Sequence, residues 1–147
     1  MQRQATFPQA NDMNRVLSVL DHIGVNKGAT TQDMVKNLGM DSRQVSYHTS
    51  ALQWLGLTNK EGLTHKLTFE GRRVRQMKQE NRVKYIALFC SQKPVFQKIA
   101  LSKKITKTDL KRSKLDQFSD TTVERRLNTA RSWNQHFSKS GINIAIA

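Results

Sequence analysis

Residues 40–57, MDSRQVSYHTSALQWLGL, constrain the fold more than any other stretch. Asp41 is a capping residue and Gly56 a stop signal, so the segment predicts a helix from about Ser42 to Leu55. Gln44 stands three residues after Asp41, as in a capping box. At ~100° per residue, Val45, His48, Ala51, Leu52 and Leu55 share one side. Arg43, Ser46, Tyr47, Ser50 and Trp54 share the other. A helix with so much polar surface cannot be enclosed in a core. It must lie on the outside of a domain, apolar side down, with its polar side left to meet a partner.

The neighbouring segments fit around such a helix. Asn11 and Asp12 predict the start of a helix that runs to about Ile23. Its apolar residues Met13, Val16, Leu17, Leu20 and Ile23 recur at three and four, and Gly24 ends it. VNKGATT reads as a turn-rich link. Thr31 is placed to cap a short second helix through about Leu38, with Met34, Val35 and Leu38 inward and Gly39 as breaker. After Gly56, LTN and HKLTF, separated by KEG, read as a small hairpin. Glu70 and Gly71 then open a long helix, expected to run from about Arg72 to Ser91. Helix, helix, glycine turn, helix, hairpin is the order of a winged helix. In that arrangement the third helix enters the major groove and the hairpin lies along the DNA backbone.

The second half repeats the theme. Pro94 predicts another helix start, before VFQKIAL. KITKTDLKRSK contains a short helix capped by Thr106 or Thr108. FSDTTVERRLNTARSWNQHF follows, capped by Ser119 or Asp120, with Glu124 in its first turn, where the helix dipole favours acid. Val123, Leu127, Ala130 and Phe137 mark one side. Thr121, Arg125, Asn128 and Ser132 mark the other, with Arg126 and Arg131 on its flanks. This is a second helix-turn-helix candidate. The terminal GINIAIA reads as a strand completing a rudimentary wing, or as a tail.

Charge points to the partner. The 147 residues hold 25 Lys and Arg against 11 Asp and Glu, a net of +14. Residues 1–70 carry 7 basic and 6 acidic side chains, and residues 71–147 carry 18 and 5. So lopsided a field favours a polyanion, above all nucleic acid. No stretch approaches the ~20 apolar residues of a membrane span. The first residues lack the charged-then-apolar pattern of a secretory signal. One cysteine, Cys90, permits no internal disulfide, and His22, His48, His65 and His136 lack metal-site spacing.

Two resemblances sharpen this. SRQVSYHTSALQWLGLT…LTFEG resembles many bacterial winged-helix regulators, in which a polar recognition helix ends in an LGL turn and the wing closes on LTxxG. This likeness covers residues 10–75. SDTTVERRLNTARSW is similar to a motif in the winged-helix recognition modules of bacterial restriction enzymes. There an RQVSYH…LGL…LT..G unit precedes a TTVxRRLxTxxSW helix. The resemblance implies that Arg43, Gln44, Tyr47, Arg125, Arg126, Asn128 and Arg131 face DNA. Those enzymes also carry a nuclease domain. Here no carboxylate pair is followed by Glu-x-Lys, and Asp109 and Asp116 lie in a basic, helical context unsuited to metal.

The sequence therefore predicts a mainly α chain, with a winged helix over 1–75 and a basic second helix-turn-helix-like or winged-helix-like unit over 76–147. The expected role is double-stranded DNA binding, as a transcription regulator or as the target reader of a restriction-type system whose nuclease is encoded separately. No catalysis and no cofactor are expected, and the setting is a cytoplasmic, nucleoid-associated one without membrane. A module that binds an acidic protein partner is the alternative. Arg43 and Gln44 suit guanine and adenine edges, as do Arg125 and Asn128 three apart. Ser42, Thr121, Thr122, Lys60 and Lys66 suit the backbone, as does the cluster of Lys103, Lys104, Lys107, Lys111, Arg112 and Lys114, and Ser46 is a further DNA-binding candidate on the polar side of the helix that begins near Ser42. Against these stand plainer roles. Tyr47 can pack on the first helix, and Arg126 or Arg131 can pair with Glu124 or Asp120. Trp54 and Trp133 fit core edges, His48 fits a packed histidine on the apolar side, and Cys90 fits a buried thiol.

Overall fold

Side-chain caps set most of the helix starts in the computed structural model, which describes residues 7–144. Asp12 accepts from the N–H groups of Asn14 and Arg15 at the head of α1 (Met13–Val25). α2 (Thr31–Leu38) is capped by Thr30, one residue earlier than the expected Thr31. The cause is a reciprocal pair: Thr30 Oγ1 accepts from Asp33 N–H, and the Asp33 carboxylate accepts from Thr30 N–H. Thr31 would face Met34 at that spacing, which offers no such acceptor. α3 (Ser42–Trp54) starts at Asp41, whose carboxylate accepts from Gln44 N–H.

The chain divides into two compact units, one running to Met77 and the other starting at Lys78. In the first, the order is α1, β1 (Ala29–Thr30), α2, α3, β2 (Thr58–Glu61), β3 (Thr64–Leu67) and α4 (Phe69–Gln76). The strands form one antiparallel sheet in the order β1-β3-β2. β1 lies in what the sequence presents as a turn-rich link. It is two residues long, too short to show a period. A two-residue connection, Gly62–Leu63, joins β2 to β3, with Gly62 at positive φ, as tight hairpins favour. α1 packs on α3, β3 and α4. Val16, Val19, Leu20 and Ile23 are buried in its core, as are Met34, Val45, Leu52, Leu57 and Val74.

The LGL and LTFEG segments are joined physically. Thr68 Oγ1 donates to Gly56 O at 2.7 Å, and Thr68 N–H donates to Leu57 O at 3.0 Å. The same hydroxyl accepts from Gly71 N–H and so caps α4. A Cβ on Gly71 would drive into the Leu57 carbonyl oxygen, so only glycine lets α4 come this close.

The long helix expected over Arg72 to Ser91 is two helices, α4 and α5 (Gln79–Ser91), parted where Met77 and Lys78 take extended backbone. Val74 is buried in the first unit and Val83 in the second. Nine residues at ~100° each would put them on opposite sides of one straight rod. The break coincides with the boundary between the two units.

The second unit continues with α6 (Pro94–Ala100), α7 (Lys107–Arg112) and α8 (Asp120–Lys139). Pro94 occupies the first turn of α6, where its missing N–H costs nothing. Thr106 caps α7 through a second reciprocal pair, with Asp109. Ser119 caps α8, which places Asp120 in its first turn and Glu124 one turn later than expected. α8 packs on α5 and α6, and α7 on α6. Trp133 is fully buried, with its ring tilted against Phe96 at 6.1 Å between centroids, and Ile86, Cys90, Leu127 and Phe137 are buried in the same unit. Trp133 is a core residue, where the sequence suggested a core edge. Among the described residues this unit has no strand. Of the terminal segment expected as a strand, 141–144 is turn and irregular backbone, and 145–147 lie outside the described residues. No helix among the described residues is long and apolar enough to cross a membrane.

Candidate nucleic-acid interface

α3 sits apolar side down. Val45, His48, Thr49, Ala51 and Leu52 are buried. Ser42, Arg43, Gln44 and Ser46 are exposed, and Tyr47 and Ser50 half-exposed. Arg43, Ser46, Tyr47 and Ser50 project together, and no carboxylate lies on α3 itself. Gln44 is turned toward the flank of this face by helical geometry. Tyr47 does not pack inward: its hydroxyl accepts from Arg43 Nε–H at 2.6 Å, and the guanidinium lies 5.5 Å from its ring. Trp54 is half-buried against Phe7, with ring centroids 5.3 Å apart.

His48 is buried and donates from Nδ1 to Gln44 O at 2.7 Å, since a carbonyl can only accept. Burial pushes its imidazole below the ordinary value, against the raising effect of that bond. His65, on the inner side of β3, is lowered in the same way by burial and by Lys60. Neither histidine belongs to the exposed surface.

The hairpin separates the two lysines assigned to it. Lys60 lies in β2, directly across from His65, and so shares the inner side of the sheet. Lys66 alternates to the outer side and pairs with Glu61 at 2.9 Å. They do not act from one face.

α8 presents Thr121, Arg125 and Asn128 outward together. Arg131 projects beside them, donating to Asn128 Oδ1 and Glu124 Oε1 at 2.7 Å each. That ion pair is exposed on both sides and worth only ~0–1 kcal/mol, so a phosphate can displace it. Thr122 is half-buried in the cap: its N–H donates to Ser119 Oγ, and its hydroxyl accepts from the same serine. Arg126 departs from expectation. It is 9% exposed, with its guanidinium 4.3 Å from the Phe118 ring. It lies half a turn from the outward face of α8 and is a packing residue here.

Lys103, Lys104, Lys107, Lys111, Arg112 and Lys114 are all exposed. Lys107 and Lys111, four apart on α7, share a side. Asp109 stays on the other side, accepting from Thr106 and pairing with Lys98 at 3.7 Å. Those bonds, the backbone one first, hold its carboxyl below the ordinary range. Burial raises the Cys90 thiol well above its usual value, which makes it unreactive. Among the described residues, no three His, Cys, Asp or Glu side chains gather as a metal would need.

Sequence reasoning passed over Lys27, Arg72 and Arg75. They are spread over nearly fifty residues, and only the packing of α4 on α1 brings them to one cleft.

No match is found among curated proteins or among solved structures. The sequence model of one family, described as a domain of unknown function (DUF7226), matches residues 15–139, which hold both polar-faced helices. With most of its length matched, the chain belongs to the DUF7226 family.

Proposed function

We propose that this chain is a double-stranded DNA-binding protein that works by docking rather than by catalysis. Its first unit acts as a winged helix and its second as a helix-turn-helix of α7 and α8. The outward face of α3 carries this reading: Arg43, Ser46 and Tyr47 stand exposed or half-exposed on it, with Gln44 exposed at its flank and the capping Asp41 as the acid at its start. Three further features support it. The hairpin of β2 and β3 follows α3 directly and is fastened to its end. α8 turns Thr121, Arg125 and Asn128 to solvent. The chain holds a net charge of +14.

In this reading α3 enters a major groove, where Arg43 grips a guanine edge and Gln44 an adenine. Lys66 meets the backbone from the hairpin. Arg125 and Asn128 read neighbouring bases, while Arg131 exchanges Glu124 for a phosphate. Arg126 has no part in the contact.

A gel-shift series with a duplex library tests the reading. About 6–10 phosphate contacts would cost ~10³–10⁵ in affinity between about 50 and 200 mM salt. Arg43→Ala and Arg125→Ala should each weaken binding to the selected site by ~1–3 kcal/mol. Salt-insensitive or absent duplex binding overturns it. A methyltransferase or nuclease gene beside this one would favour the restriction role over transcription regulation.

A further inference from the structure

The first unit holds a cleft of about 280 Å³ that the groove-facing helix does not use. Ile23 at the end of α1 and Leu67 at the end of β3 give it an apolar floor. Lys27, Lys66, Arg72 and Arg75 stand around it, and no carboxylate is among its lining residues. Glu61 and Asp21 reach Lys66 and Arg75 from outside, at 2.9 and 3.9 Å. Four cations around an apolar floor specify a ligand with a compact negative charge on a small, less polar body. The volume is at the small end of ligand clefts, which run to about 300–1,000 Å³, and suits something of mononucleotide size.

Two local bonds set where the cations stand. Arg72 is exposed, and its Nη1 donates to Leu67 O at 3.4 Å, a tether that leaves the guanidinium beside the cleft and open to solvent. Lys27 has φ +54°, a left-handed conformation that glycine adopts freely and lysine rarely. It closes the end of α1, where Lys27 N–H donates to Gly24 O and Gly28 N–H to Ile23 O. Ser102 and Lys114 close α6 and α7 with the same backbone, so the turn itself is this chain's ordinary helix ending; at Lys27 it sets a lysine on the cleft wall.

We propose that this cleft binds a phosphate group. Its source is either a free mononucleotide or a single backbone phosphate of bound duplex. Arginine forks and a lysine ammonium are the usual partners of phosphate oxygens. The proposal does not depend on α3 reading bases.

The test uses the full chain with adenosine monophosphate, adenosine, inorganic phosphate and a duplex oligonucleotide, read by calorimetry. For a free-nucleotide site, adenosine monophosphate binds and adenosine does not. Arg72→Gln then weakens the nucleotide about tenfold, as loss of one charge-assisted contact does, and leaves duplex affinity unchanged. For a backbone-phosphate site, the same substitution weakens the duplex about tenfold, and adenosine monophosphate competes with it. Lys27→Gly should weaken the same ligand while raising the thermal midpoint, so the loss cannot be blamed on unfolding. Arg73→Gln, on the same helix but outside the lining and paired with Glu70, should change neither. If neither Arg72→Gln nor Lys27→Gly alters binding of either probe, or if adenosine binds as well as its phosphate, the proposal is wrong.

Discussion

Gly71 brings α4 against the Leu57 carbonyl at a separation that excludes any side chain. Gly71→Ala must push α4 off the chain that follows α3 and loosen both bonds of Thr68. It should cost about 1–3 kcal/mol, the usual penalty for overpacking, seen as a lower denaturant midpoint with an unchanged m value. His48 and His65 contribute differently. Both are held neutral by burial, with affinity for protons below the ordinary value near 6.5. The unfolded chain takes up protons that the fold refuses, so their contribution is complete above about pH 6.5 and is lost as pH falls below it. Denaturation midpoints should therefore drop between about pH 7.5 and about pH 5.5. In the double variant His48→Gln, His65→Gln that part of the drop should vanish. The burial of His48 was legible from its place on the apolar side of α3. That of His65 was not, because four-residue strands give too short a pattern to say which side faces in.

Helices that announce their own ends were the legible elements. Asp12, Asp41, Thr106 and Ser119 cap where the sequence puts a short polar side chain ahead of apolar residues at helical spacing. The break at Met77 and Lys78 has no glycine, proline or capping side chain to mark it. It falls where the chain passes from one compact unit to the other, a boundary that exists only in the folded chain. The break can be tested with proline. Lys78 has φ −62° and Met77 before it is extended, which is the geometry proline requires of both residues. Lys78→Pro should be neutral, or stabilising by about 0.4–1 kcal/mol, in thermal unfolding. A continuous helix would instead lose about 3 kcal/mol. Arg126 shows the limit in the other direction. Its type and its place on the flank of α8 suggested a contact, but the Phe118 ring covers it, and Phe118 lies before the helix begins.

Across the whole molecule the charge is divided unevenly between the units. Up to Met77 there are ten basic and six acidic residues, and from Lys78 fifteen and five. Under the proposed function the second unit supplies most of the long-range attraction, and the first supplies an acid-free helix face. Replacing Lys103, Lys104 and Lys107 together by Gln should leave the fold intact, since all three are exposed. It should flatten the slope of log affinity against log salt by up to ~0.9 for each lysine that meets a phosphate. A slope unchanged by the triple replacement would remove this segment from the contact. The charge excess was plain in the sequence. The convergence of Lys27, Lys66, Arg72 and Arg75 was not, because it takes three elements to assemble it. The Thr68 bonds carry one last consequence. They anchor the foot of the hairpin to the chain just past α3, so under the proposed function rod and ribbon would meet the duplex as one piece. The backbone path from α3 to the hairpin is then set by the fold, and docking would have less left to order than it would with a loose arm.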